Sequence, residues 1–109
     1  MALFRALSGS SGSGINPTLI EKGTGNTDYR NHAYTVTNGK TYLFTYISSN
    51  SVNDTSVEGG TALLIADSNY TPWGSNINGH AVVVKATSTT LKFQNSTVPI
   101  YSPMLIQLD

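Results

Sequence analysis

Cysteine is absent from the 109 residues, which excludes disulfides and thiolate metal sites and makes folding independent of the redox state of the compartment. Charge is scarce as well: six Lys and Arg balance six Asp and Glu, together 11% of the chain, for a formal net charge of zero. A nucleic-acid surface needs a surplus of cations to meet phosphate. Here Arg5, Lys22, Arg30, Lys40, Lys85 and Lys92 are scattered, so no nucleic-acid partner is expected. Long apolar runs are missing too. The longest, residues 62–66 and 80–84, are strand-sized and far short of the roughly 20 residues of a membrane helix, so no membrane insertion is expected. Residues 8–14 interrupt the apolar start before a signal-peptide core could form, so no signal peptide is expected.

Catalytic patterns are equally thin. The two histidines, His32 and His80, lack a second ligand at metal-motif spacing. No serine sits in a GxSxG elbow, and Glu21, Asp28, Asp54, Glu58, Asp67 and Asp109 are dispersed. The expectation is a protein without enzymatic activity, cofactor or metal, in which the histidines and carboxylates do not converge in one cleft. The glycine pairs Gly23/Gly25 and Gly59/Gly60 lack the strand-to-helix setting of a phosphate loop and read as turns.

What is abundant is Ser, Thr and Asn, about a third of the chain, a surface wetted by hydroxyls and amides. The length suits one domain. Residues 1–14 divide into a short apolar peptide and the linker Ser8-Gly-Ser-Ser-Gly-Ser-Gly14, whose random-coil reach is about 14 Å. Met1, Leu3, Phe4 and Leu7 are too few to bury a core and costly to leave in water, so the arm is expected to dock onto a partner.

From residue 15 to 109 the apolar period is two, with frequent turn residues. The reading is an all-β antiparallel β-sandwich, jelly-roll or immunoglobulin-like, of about six or seven strands carried on a flexible N-terminal arm. Asn38-Gly39 is expected to close a type I′ hairpin between residues 33–37 and 41–47, and Ser88-Thr89 a second one. Residues 48–60 read as an exposed polar loop. Alternation directs Val82, Val84 and Ala86, Leu91 and Phe93, and Met104, Ile106 and Leu108 inward. Along residues 42–47, Tyr42, Phe44 and Tyr46 take one face and Leu43 and Ile47 the other, so the strand is either central or meets another subunit. An aromatic ladder of this kind is also used in homo-oligomer interfaces.

Residues 69–79 read as a second long loop. Its Tyr70 and Trp73, flanked by Asn76 and Asn78, could stack on a sugar ring and bond its hydroxyls. A carbohydrate- or receptor-binding module using this loop is therefore the alternative function, with a surface glycan as its partner. The competing expectation is that Trp73 tucks over the end of the sandwich, where a large apolar side chain gains most.

The apolar start, the Gly/Ser spacer and the stretch Thr37-Asn-Gly-Lys-Thr-Tyr-Leu-Phe44, followed by a Ser/Thr/Asn-rich β domain, resemble small virion proteins of tailed bacteriophages and prophages. The resemblance implies a structural protein displayed on the particle, either a capsid decoration protein or a fibre or tail-tip component. It also implies other virion proteins as partners, symmetric copies, and assembly in the bacterial host cytoplasm. No fibre-like repeat or heptad is present, which favours a compact decoration.

Overall fold

Period-two alternation with β-branched and aromatic residues dictates strands, and a computed structural model, which describes residues 15–22, 30–49 and 55–109, contains eight. They are β1 (Thr18–Glu21), β2 (Asn31–Thr35), β3 (Thr41–Ser49), β4 (Thr55–Glu58), β5 (Gly60–Tyr70), β6 (Ile77–Ala86), β7 (Thr90–Asn95) and β8 (Tyr101–Gln107), with one 3-10 turn at Pro72–Gly74. A five-stranded sheet of order β1-β8-β3-β6-β5 faces a three-stranded sheet of order β2-β7-β4, and every pairing is antiparallel. The expected all-β sandwich is present, with eight strands instead of six or seven. The distribution β1-β8-β3-β6 against β2-β7-β4 follows the jelly-roll order, except that β5 pairs with β6.

The core lies between the sheets. Tyr42, Phe44 and Tyr46 of β3 and Val82, Val84 and Ala86 of β6 meet Leu91 and Phe93 of β7, all nearly inaccessible to solvent. Each Val, Leu or Phe among them contributes about 1.5–3 kcal/mol on burial. β3 is the middle strand of the large sheet, and its second side, with Leu43 and Ile47, is covered by no other layer among the described residues.

Several local expectations are corrected. Asn38-Gly39 closes no hairpin, because β2 belongs to the small sheet and β3 to the large one. The Lys40 amide donates to the Thr37 carbonyl at 3.2 Å. Gly39 has φ +92°, and Asn38 is not among the residues of positive φ. That is the sign pattern of a type II turn, which splays its flanking strands where a type I′ turn would pair them. Ser88-Thr89 likewise carries the chain from β6 in one sheet to β7 in the other. The supposed loop 48–60 contains β4, and the supposed loop 69–79 is shorter than expected, residues 71–76 only, since β5 and β6 form one long hairpin paired from Gly60/Ala86 to Tyr70/Ile77.

In β8 the inward residues are Pro103 and Leu105, not Met104 and Ile106. Ser102 adopts φ +50° at a break in register against β3, and this bulge accommodates Pro103, which lacks an amide donor. Gln107 turns inward because its polar ends are satisfied: Oε1 accepts from the Tyr42 hydroxyl at 3.0 Å and Nε2 donates to the Asp109 carbonyl at 2.7 Å. Gly59 makes the crossing from β4 to β5 with φ +87°, and a Cβ there would lie 1.9 Å from the Thr90 carbonyl oxygen. The docking peptide Met1, Leu3, Phe4 and Leu7 and its linker lie outside the described residues.

Candidate functional site

The three inner strands of the large sheet, β8, β3 and β6, each have one side committed to the core. In antiparallel sheets the other side is commonly solvated and polar, but here an aliphatic band crosses it between polar residues such as Thr41, Lys85 and Ser49. Register aligns Leu19 of β1 with Ile106 of β8, Ile106 with Leu43 of β3, Leu43 with Val83 of β6, and Val83 with Leu64 of β5. An unbroken aliphatic row thus crosses all five strands on the outward face. The next aligned row is Met104, Thr45, Ala81 and Ala66. Leu19 and Leu64, at the two ends of the first row, are 57% and 58% exposed. β3, β6 and β8 direct a single charged side chain, Lys85, to this side.

The face is also dimpled. Gly79 supplies no side chain, and the surface sinks there into a depression of about 460 Å³ between Thr45, Ile47, Met104 and Lys22. A second depression, of about 310 Å³, adjoins it between Ala66, Ser68 and Ala81. At the margin, β5 is an edge strand that the narrower sheet does not cover. Leu63, Leu64 and Ile65 are therefore all exposed, the kind of edge that invites pairing with another chain.

The Tyr70–Asn78 segment divides into an exposed part and a buried one. Trp73 is completely exposed and Tyr70 65% exposed, so the expectation that Trp73 tucks over the sandwich is overturned. The hairpin extends past the covered core and carries the ring away from it. Asn76 is exposed, whereas Asn78 is fully buried on the inward side of β6 and is no surface-loop residue. The Asn69 amide donates to Asn76 Oδ1 and, at 2.9 Å, to Asn78 Oδ1, while Asn78 Nδ2 has no partner among the described residues.

At the same end of the inner face lies a polar cluster that motif reasoning missed. Ser48 Oγ is 2.7 Å from His80 Nε2, and His80 Nδ1 bonds Asp67 Oδ1. The imidazole stacks on Tyr46 with centroids 4.2 Å apart. The expectation that histidine and carboxylate stay apart is therefore corrected for His80 and Asp67, although His32 sits in the opposite sheet. The connectivity is that of a nucleophile, base and orienting acid; His80 borders both depressions and Asp67 the smaller, but Ser48, 1% exposed, lines neither, and His80 is itself only 3% exposed. A carbonyl substrate has no route to the hydroxyl, so the cluster reads as a satisfied buried polar network. Only tertiary pairing could have revealed it, since β3, β5 and β6 each contribute one member. Among the described residues, no group of three His, Asp or Glu could hold a metal ion.

No protein-family model, characterised protein or solved structure matches the chain. The outward face is the largest feature that the fold itself leaves unexplained.

Proposed function

We propose that the chain is a non-enzymatic structural protein that assembles with further copies of itself through the outward face of its large sheet. Its setting is the surface of a tailed-phage particle, as a capsid decoration protein or a fibre or tail component anchored by its N-terminal arm. The observation that carries the assembly reading is the row Leu19, Ile106, Leu43, Val83 and Leu64. Aliphatic side chains left in water forfeit about 25 cal/mol per Å², and a second copy returns that burial with an identical face. Five strands of four to eleven residues, about 4.8 Å apart with about 3.3 Å of rise per residue, offer roughly 600 Å² per copy, hence about 1,200 Å² in total, the size at which specific interfaces begin.

The virion setting is supported by the arm, the spacer and the Ser/Thr/Asn-rich domain that resemble phage virion proteins. It gains fold-level support from the jelly-roll strand order, an architecture that also serves viral capsids. Light scattering on the full chain is the test. A defined oligomer is expected, and the double variant Leu19→Lys/Leu64→Lys, altering two exposed positions, is expected to be a folded monomer. A full chain that stays monomeric at high concentration overturns self-assembly, and a chain lacking residues 1–14 that still enters particles overturns the anchoring role.

A further inference from the structure

The tip of the β5–β6 hairpin presents an aromatic side chain that nothing in the fold uses. Trp73 is 100% exposed and its backbone stands at φ 48°, ψ 38°, a left-handed conformation rare for a bulky residue. A strained backbone holding an exposed Trp is costly twice over and persists where the surroundings fix it. They do so here: Ser75 N–H donates to the Pro72 carbonyl at 2.9 Å, Tyr70 pairs with Ile77 across the hairpin, and the Asn69 amide ties to Asn76 and Asn78. The ring is thus displayed on a braced support, which lowers the ordering cost of binding.

The chemistry around the ring narrows the partner. From Ser68 to Gly79 there is no charged residue. Thr71, Ser75 and Asn76, exposed and within three positions of Trp73, carry hydroxyl and amide groups, Tyr70 adds a second exposed ring, and Ile77 is the one exposed aliphatic side chain of the tip. A protein-binding hot spot is typically an aromatic anchor within a desolvated apolar patch, and an anionic polymer or phospholipid would call for cations. An aromatic face set among neutral hydroxyls and amides matches a neutral pyranose, whose C–H face stacks on the indole while its hydroxyls bond the amides. We infer that the β5–β6 tip is a binding site for neutral glycans, with Trp73 as the stacking platform. Tyr70 and Ile77, paired across the hairpin, continue the outward side of β5 and β6, so the tip adjoins the assembly face, and the experiment below tells sugar binding from a contact between copies.

Trp73 is the only tryptophan in the chain, so intrinsic fluorescence reports this site without labelling. The full chain is titrated with neutral oligomers of glucose, mannose, galactose and N-acetylglucosamine while emission and acrylamide quenching are followed. At least one series is expected to shift emission to the blue and protect the indole. By calorimetry, Trp73→Ala is expected to lose about tenfold or more in affinity with an unchanged melting temperature. Lack of response to all four series, or binding that survives Trp73→Ala, overturns the inference. Protection that grows with protein concentration in the absence of sugar also overturns it and places Trp73 in a contact between copies.

Discussion

The rings of Phe44 and Phe93 stack with centroids 3.9 Å apart and planes 10° from parallel, joining the middle strand of the large sheet to the middle strand of the small one. Tyr34 meets both rings, tilted against Phe44 and edge-on to Phe93, so the two sheets are held about an aromatic cluster. Phe93→Ala is expected to cost about 3–5 kcal/mol, measured by urea denaturation. A loss under about 1 kcal/mol would mean that the sheets do not depend on this pair.

Tyr34 also donates its hydroxyl to Glu21 of β1. Burial, then the hydrogen bond to Glu21 and its negative charge, push the phenol well above its ordinary value. The folded state therefore holds a proton that the unfolded chain releases near pH 10. The associated stability is present in full below that pH and is lost as pH rises beyond it. Tyr34→Phe is expected to flatten the alkaline limb of the stability–pH curve; an unchanged slope would contradict the link.

Gly59 is held by two constraints at once, a positive φ and the approach of the Thr90 carbonyl. Gly59→Ala is expected to destabilise by at least about 1–3 kcal/mol from backbone strain alone, because the Cβ meets backbone and not a movable side chain. Gly39 has φ +92° but open space around it, so Gly39→Ala is expected to cost less. Melting temperatures of the two variants check the order.

The Ser48–His80–Asp67 chain is expected to be inert towards fluorophosphonates, and Ser48→Ala to show as a stability loss of about 1–3 kcal/mol from the lost buried hydrogen bond. Labelling of the wild-type chain that Ser48→Ala abolishes would make the site catalytic and overturn the non-enzymatic reading.

Association through an aliphatic face carries little electrostatic energy, so the oligomer is expected to persist or tighten as salt is raised. Dissociation in high salt, followed by light scattering, would point to a charged interface.

The faces of β3, β6 and β7 were legible because side-chain direction alternates along a strand whatever its partners are. In β8 the same rule misled, since Met104-Leu-Ile-Gln-Leu108 is apolar on both sides and a bulge at Ser102 decides the parity. The two turns at Asn38-Gly39 and Ser88-Thr89 were recognisable as turns, but not as corners between sheets. Tyr70 and Trp73 were visible as unusual aromatics, although their exposure was not.

The sequence by itself determined the all-β class, the alternation that builds most of the core, and the exclusion of disulfides, because these depend on composition and on neighbours along the chain. The tertiary structure alone decided that β5 leaves the small sheet to pair with β6, that five aliphatic residues align across the outer face, and that Ser48 meets His80 from 32 positions away. Pairing and register are set by which strands bury each other's surface, a competition among distant segments that no local pattern encodes.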